Sequence, residues 1–216
     1  GGLFFDVYCS DGQLSVADIG SQNVNGTLRS HINENIKQYV GIDFAEGRGV
    51  DIVLTDPYKF PFDDNRFDRV VSTSCFEHSE LFWLTFLEGM RIIKPDGVMY
   101  VNAPTLWDYH AYPVDCWRFY PDSSKALETW ANRNNIPTMV LESYISTPSC
   151  SAECGDLVAV FLKDKSFESL YEKRIVDSLV PFEDFFNGFR FPTNEKFVHG
   201  WEYPNFAYIQ GIAHPK

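Results

Sequence analysis

Short apolar runs alternate along the chain, up to about residue 163, with stretches in which apolar residues recur every three or four positions. This alternation is typical of parallel strands joined by crossover helices, and it predicts an α/β fold. Several of the apolar runs are continuous, as expected for a sheet whose two faces are both covered. The predicted strands are residues 15–19, 39–42, 51–54, 67–73, 98–102, 138–146 and 157–163.

Helical spacing of apolar residues predicts four helices. They are residues 27–35, 81–93, 123–134 and 167–179. In the second helix, Leu84, Leu87 and Met90 share one apolar face, and the Lys-Pro-Asp-Gly sequence at 94–97 should end it.

Two segments depart from this alternation because both are rich in aromatic residues. Residues 104–121 form a long connection, and long connections inside a compact domain are usually functional. The segment 164–216 carries Phe182, Phe191 and Trp201 among other aromatic residues. It is expected to act as a lid over a substrate or as a contact between two copies of the chain. The second interpretation is favoured, because permanent interfaces are rich in aromatic residues.

Length and charge limit the classes of partner. The 216 residues (24.8 kDa) fit one domain with an extension. Lys and Arg total 18 and Asp and Glu total 30, which gives a formal net charge of −12. A protein of this charge repels a polyanion, which argues against a nucleic-acid partner. No window approaches the roughly 18 consecutive apolar residues of a membrane span. We therefore expect a cytoplasmic protein that binds neither nucleic acid nor membrane.

The chain has five cysteines, an odd number, and they are scattered through apolar segments. This distribution favours buried, reduced thiols over a disulfide framework. Cys150 and Cys154 have no second cysteine pair or nearby histidine, so no metal site is expected. The cysteines are Cys9, Cys75, Cys116, Cys150 and Cys154.

The first predicted strand runs into a loop that contains Asp18, Gly20, Ser21 and Gly26 and is expected to open a helix. Small residues and free N–H groups at such a corner suit a bound ligand, although an ordinary strand-to-helix turn fits this loop equally well. Asp43 closes the next strand, where an acid accepts the ribose hydroxyls of an adenosine cofactor. Together, the loop and Asp43 indicate an adenosine-binding site more specifically than either feature alone.

Two more corners follow later strands. Asp56 follows the third strand, and Glu77 and His78 come just after the fourth. Because ligands of open α/β sheets bind at the carboxyl ends of the strands, all these corners are expected to meet at one crevice.

Taken together, these motifs resemble those of class I S-adenosylmethionine-dependent methyltransferases of the type 11 group over residues 16–163. The matching sequences are Asp-Ile-Gly-Ser at 18–21, Gly-Ile-Asp at 41–43, Thr-Asp at 55–56, Phe-Pro-Phe at 60–62, Asp-Arg-Val-Val at 68–71, Glu-His at 77–78 and Arg-Ile-Ile-Lys-Pro-Asp-Gly at 91–97.

The resemblance implies a Rossmann-like sheet, mostly parallel with its last strand antiparallel, and helices on both faces. It implies a domain over 1–163 that binds S-adenosyl-L-methionine, with 164–216 as an extension. The implied cofactor-binding residues are Asp18, Gly20, Ser21, Asn23, Gly26, Asp43, Phe44, Thr55, Asp56, Pro57, Ser74 and Cys75.

For an acceptor hydroxyl, a base must remove the proton, and imidazole titrates near neutrality. His110 is the first candidate and His78 the second; each also fits a purely structural role. The expected substrate-binding residues are Trp107, Tyr109, Tyr112, Asp115, Trp117 and Arg118. For Arg118 an ordinary ion pair is as plausible as substrate binding, and core packing is the alternative for the aromatic residues.

The stretch His-Ala-Tyr-Pro-Val-Asp-Cys-Trp-Arg at 110–118 resembles a subgroup that modifies small or glycan-type molecules. The expected function is therefore O-methylation of such an acceptor, with a possible homodimer. Two alternatives stay open. One is a cofactor-binding module without turnover, suggested by Gln22 at a position where the family commonly has a second glycine. The other is a nicotinamide-dependent reductase, although G-x-G-x-x-G is missing.

Overall fold

A computed structural model describes residues 1–146 and 155–179, and the backbone alone of 185–190 and 195–197. The strands are β1 (Leu14–Ile19), β2 (Ile36–Asp43), β3 (Ile52–Val53), β4 (Phe67–Thr73), β5 (Ile93–Leu106), β6 (Met139–Ser146), β7 (Gly155–Leu162), β8 (Phe185–Arg190) and β9 (Glu195–Phe197). The α-helices are α1 (Gly2–Tyr8), α2 (Phe82–Ile92) and α3 (Pro121–Arg133).

The strands form one sheet in the order β3-β2-β1-β4-β5-β7-β6-β8-β9. Strands β1 to β5 are mutually parallel, and β7 inserts antiparallel between β5 and β6. The first seven strands therefore confirm the predicted sheet with its last strand antiparallel. Strands β8 and β9 extend it beyond the prediction at the β6 edge.

The strand order reverses between β1 and β4, which brings their carboxyl ends side by side. In register, Asp18 pairs with Gly41 of β2 and with Val71 of β4. The loops that follow β1, β2 and β4 therefore leave the sheet at one edge. In open α/β sheets this switch point is where ligands bind.

Side chains alternate between two apolar cores, one on each face of the sheet. On one face Met90 of α2 packs with Met99 and Phe161 of the sheet. On the other face Phe4 of α1 packs with Tyr100. Both faces are thus covered, as the continuous apolar runs predicted.

Two of the four predicted helices are wrong. Residues 27–35 form only a 3-10 helix at Leu28–His31, because Leu28 is the one buried residue of that helix and the rest of it is polar. Residues 167–179 form two 3-10 helices, Lys165–Leu170 and Ile175–Ser178. The second of these is fixed by the buried carboxylate of Glu142, which accepts hydrogen bonds from two backbone N–H groups at its start.

Helix α1 was not predicted, because it is short and begins with glycines. Its residues Phe4, Phe5 and Tyr8 are buried, so packing rather than helix propensity stabilises it. The turn expected to follow α2 at 94–97 lies inside β5 instead. Ile93 already pairs with Phe67 of β4, and the register shifts before Val98.

Part of the C-terminal extension packs on the sheet. Tyr171, Ile175 and Val176 are buried in the core on the α1 face. The aromatic residues Phe182 and Trp201 lie outside the described residues, so the lid and the dimer contact remain predictions.

The cysteine prediction is only partly right. Cys9 is buried and Cys75 is partly buried, but Cys116 is exposed because it lies in the loop after β5. Cys150 and Cys154 lie outside the described residues. Within the described part of the chain, no helix has the length and apolarity needed to cross a bilayer.

Candidate functional site

A cavity of about 1160 Å³ lies at the carboxyl edge of the sheet. Its wall is formed by the loops after β1, β2 and β4 and by the connection after β5. The sequence-predicted residues that line it are Asp18, Gly20, Ser21, Gly26, Asp43, Phe44, Pro57, Ser74, Cys75, His78, Trp107, His110 and Tyr112.

Asp43 ends β2 with its carboxylate in the cavity wall. Its Oδ2 accepts a hydrogen bond from the Gln22 N–H at 3.1 Å, and its Oδ1 accepts one from the Ala45 N–H at 3.3 Å. An ionised carboxylate has about four lone-pair positions, so these two bonds hold it in place and leave two positions for a ligand. Two neighbouring hydroxyl groups are the ligand that such a group suits.

The loop after β1 lies directly against the loop after β4. Gly20 has φ +76, and a Cβ on it would come within 2.6 Å of the Cys75 side chain, so only glycine fits this approach. The buried Ser21 hydroxyl has no hydrogen-bond partner within the part of the chain that the structure describes. A polar ligand in the cavity would supply that partner.

Gln22 lies at the position where the resemblance implies a second glycine, and its side chain points towards the loop between β2 and β3. A Cβ on Gly47 would lie 2.5 Å from Gln22 Nε2, so the glycine gives the side chain its space. Gln22 Nε2 donates to the Glu46 carbonyl at 3.4 Å. Gly47 therefore provides the space that the Gln22 side chain needs.

Asp18 is buried at the end of β1, and burial raises its pKa to about 7. The charges of Asp43 and Asp51 raise the pKa further, whereas the hydrogen bond from Tyr39 at 2.7 Å and the charge of Arg29 lower it. Because the ionised form is disfavoured in the fold, Asp18 makes the stability of the protein depend on pH.

Without cofactor, the wild type should lose stability as the pH rises from about 4 to 7, and Asp18→Asn should not show this loss. The folded pKa of Asp18 lies above the ordinary value of 3.8, so its contribution is fully present below about pH 4 and is lost as the pH rises through about 7. The variant should gain on the order of 4 kcal/mol relative to the wild type between pH 4 and pH 8. Denaturant titrations across this range measure it, and parallel stability curves would contradict it.

Glu77, His78 and His110 meet on the cavity wall. His78 Nε2 lies 3.7 Å from Glu77 Oε1, and the two imidazole rings are 5.2 Å apart, edge to face. Burial, with smaller contributions from Asp156 and Asp115, raises the pKa of Glu77 to about 8. The predicted candidates His78 and His110 are thus neighbours, and Glu77, which the sequence offered only as part of the Glu-His motif, joins them.

Asp115 and Arg118 form a two-pronged ion pair with oxygen–nitrogen distances of 2.5 and 2.8 Å. The hydrogen bonds from Arg118 hold the pKa of the Asp115 carboxyl well below its usual range. Asp115 Oδ2 also accepts from the His110 N–H at 2.7 Å. Arg118 is therefore engaged in the ion pair that the sequence left as its alternative, and Asp115 positions His110.

Arg118→Ala should lower the free energy of unfolding by about 2 to 4 kcal/mol, because it leaves the Asp115 side chain, only 1% exposed, without its counter-ion. Lys125→Ala is the matched control: Lys125 pairs with Asp122, also three residues away, but both are exposed. That control should cost less than about 1 kcal/mol. Equal losses in urea titrations of the two variants would refute the structural role of Arg118.

Several predicted site residues do not line the cavity. Tyr109 is 78% exposed. Trp117 packs on Phe82 with ring centroids 5.3 Å apart, and its Nε1 donates to the Ser79 carbonyl. The residues outside the cavity wall are Asn23, Thr55, Asp56, Tyr109, Asp115, Trp117 and Arg118. Residues that line the cavity without having been predicted include Gln22, Val24, Tyr58, Glu77 and Asp156.

Comparison with known proteins agrees with this geometry. Residues 17–101 match the family model described as a methyltransferase domain. No curated protein sequence matches the chain. Among solved structures, the 1,6-didemethyltoxoflavin-N1-methyltransferase of Burkholderia thailandensis, solved with 1,6-didemethyltoxoflavin and S-adenosylhomocysteine, is 13% identical with a TM-score of 0.59. The similarity covers 76% of each chain.

Two further structures share the fold. A Haloferax volcanii protein that was solved in complex with the methyltransferase activator Trm112 is 17% identical, with a TM-score of 0.50, over 71% of this chain and 84% of that one. The [4+2]-cyclase SpnF is 14% identical, with a TM-score of 0.55, over 75% of this chain and 79% of that one. Because a cyclase shares it, the fold alone does not establish methyl transfer.

Proposed function

We propose that this chain, a member of the class I methyltransferase family, transfers a methyl group from S-adenosylmethionine to a hydroxyl of a small molecule or glycan. The observation that supports the proposal most strongly is the shared cavity. Asp43, the Gly20 loop and two imidazoles all line it. A carboxylate suited to a ribose and two candidate proton acceptors thus line one cavity.

The residues present fit the cofactor. Asp43 has lone pairs free for the two ribose hydroxyls, and the close contact of Gly20 with Cys75 keeps the loops after β1 and β4 together on the cavity wall. The Ser21 hydroxyl, unpartnered among the described residues, adds a further polar group. When bound, S-adenosylmethionine supplies a methyl group on a positively charged sulfur.

The chain's contribution to methyl transfer is mainly positional. An in-line displacement requires the acceptor oxygen at roughly 3 to 3.5 Å from the methyl carbon, opposite the sulfur. Trp107 and Tyr112 line the cavity from the connection after β5, where aromatic faces stabilise positive charge and exclude water. Trp107 is held in place by a 2.8 Å hydrogen bond from its Nε1 to Asp156 Oδ1.

The proton of the acceptor hydroxyl goes to an imidazole in this proposal. His110 Nδ1 lies 2.8 Å from the Asp108 carbonyl, so Nδ1 carries the hydrogen and Nε2 keeps a lone pair. His78 has the same arrangement against the Val114 carbonyl. His110 is the first candidate, because Asp115 fixes its backbone and it lies on the connection that carries the aromatic residues.

An acceptor with several hydroxyl groups suits the cavity wall. Exposed aromatic rings at Trp107 and Tyr112 lie beside the polar groups of Asp108 and Asp156. A sugar ring has apolar C–H faces and polar hydroxyl edges. The aromatic faces suit the C–H faces, and the neighbouring carboxylates can accept hydrogen bonds from the hydroxyl groups. This observation favours a glycan or polyhydroxylated small molecule over an apolar acceptor.

The proposal is tested by calorimetric titration and by a transfer assay. The chain should bind S-adenosylhomocysteine and not NADH, and it should transfer labelled methyl groups from S-adenosylmethionine to the glycan and small-molecule fractions of a cell extract. Binding of NADH alone would favour the reductase. Binding of S-adenosylhomocysteine without label transfer to any fraction would favour a module that lacks turnover.

A further inference from the structure

Three side chains with metal-ligating atoms converge on the cavity wall. One ligand atom each of Glu77, His78 and His110 lies within 4.8 Å of the other two. All three residues line the cavity. We propose that this cluster, the Glu77 cluster, binds a divalent transition-metal ion such as Zn²⁺.

The first support is the unsatisfied carboxylate of Glu77. The residue is 0% exposed, and neither of its carboxylate oxygens accepts a hydrogen bond from any of the described residues. Glu142 is equally buried, but its carboxylate accepts hydrogen bonds from Tyr8 Oη and from the N–H groups of Ile175 and Val176. Because burying a polar group without a partner is costly, a ligand at Glu77 would relieve a cost that Glu142 does not have.

The second support is the orientation of the imidazoles. Nδ1 of His78 lies 2.5 Å from the Val114 carbonyl, and Nδ1 of His110 lies 2.8 Å from the Asp108 carbonyl. A carbonyl only accepts, so each Nδ1 carries the hydrogen and each Nε2 keeps its lone pair. Metal-ligating histidines are typically fixed in this way by a backbone carbonyl on the other ring nitrogen.

The donor set and the spacing fit a transition metal. Two imidazoles and one carboxylate are ligands of catalytic Zn²⁺ sites that keep an open position, whereas Mg²⁺ and Ca²⁺ prefer oxygen ligands. Tetrahedral bonds of about 2.0 to 2.1 Å place ligand atoms about 3.3 Å apart. The contact of 3.7 Å between His78 and Glu77 is close to that value, and the half-exposed side chain of His110 has room to close the rest.

The remaining coordination position would be open to the cavity. A water molecule or a hydroxyl of the acceptor would occupy it, and the ion would lower the pH at which that hydroxyl releases its proton to a water molecule in the cavity. With the ion bound, the lone pairs of His78 and His110 would be engaged by the metal, so the role of His110 as proton acceptor in the proposed function applies to the chain without the ion. This catalytic consequence rests on the proposed function, whereas binding of the ion does not.

The test uses the full chain without an affinity tag. After equilibration with Zn²⁺ and desalting, elemental analysis should find one Zn²⁺ per chain, and chelator competition gives the affinity. Glu77→Gln and His110→Ala should each weaken binding at least tenfold. His31→Ala, which changes another histidine of the cavity wall outside the Glu77 cluster, should bind Zn²⁺ like the wild type.

Three results would overturn the proposal. They are the absence of bound Zn²⁺, equal affinity in the wild type and both cluster variants, and thiolate bands in the absorption spectrum of the Co²⁺-loaded chain, which would place the ion on cysteines. His110 lies in an exposed loop, so its variant keeps the test valid if Glu77→Gln does not fold. Binding of S-adenosylhomocysteine is measured on the same samples. A chain that binds it but not Zn²⁺ refutes the metal site and leaves the proposed function standing.

Discussion

His110→Ala is expected to lower kcat for methyl transfer by roughly 10²- to 10⁴-fold, the range for removing a group that handles the transferred proton. The dissociation constant of S-adenosylhomocysteine should stay within about twofold, because His110 belongs to the connection after β5 and Asp43 to the other side of the cavity. The measurements are steady-state kinetics with labelled S-adenosylmethionine and calorimetry of the product. Such a split between turnover and affinity is typical of a residue that acts on the acceptor.

Two further variants complete the test of His110. His31→Ala changes another histidine of the cavity wall and should leave kcat nearly unchanged. Asp115→Asn removes the charge that positions the His110 backbone and should lower kcat less than His110→Ala does. An equal loss of turnover and of cofactor affinity in His110→Ala would show that His110 is a structural part of the loop and not a proton acceptor.

Asp43→Ala should weaken binding of S-adenosylhomocysteine by about 1 to 3 kcal/mol, which corresponds to roughly 5- to 150-fold. The variant removes the carboxylate that we propose as the acceptor of two ribose hydroxyls, in a buried environment. It also releases the N–H groups of Gln22 and Ala45, which the carboxylate now holds. Calorimetric titration of the variant measures the loss.

Two control variants test whether the loss of affinity depends on the carboxylate of Asp43 itself. Asp43→Asn keeps one acceptor oxygen and should lose less affinity than Asp43→Ala. Asp63→Ala removes an exposed carboxylate from a turn and should not change the affinity. An affinity of Asp43→Ala equal to that of the wild type would refute the ribose-binding role.

The sheet could be predicted because several of its strands are short, continuous apolar runs. Runs of this length and composition are typical of buried strands in an α/β sheet. Strand β4 was predicted with the bounds the structure shows, and Asp43 was placed correctly at the end of β2. These features depend on local sequence and on the rule that ligands bind at strand carboxyl ends. The coarse position of the site follows from the same rule.

The helices and the details of the site could not be predicted because tertiary contacts decide them. Leu28 is the one buried residue of segment 27–35, so a helix there would bury too little apolar surface. The 3-10 helix at Ile175–Ser178 depends on Glu142, more than thirty residues away in sequence. In the same way, the pairing of Arg118 and the convergence of Glu77 with the histidines require the fold of the connection after β5.

A crystal structure of the chain with S-adenosylhomocysteine shows whether Asp43 and the cavity form the cofactor site. We expect the adenosine to occupy the cavity and both ribose hydroxyls to lie within about 2.5 to 3.0 Å of the Asp43 carboxylate oxygens. An adenosine bound elsewhere, or an Asp43 carboxylate that contacts only the Gln22 and Ala45 N–H groups while the ribose lies out of its reach, would contradict it.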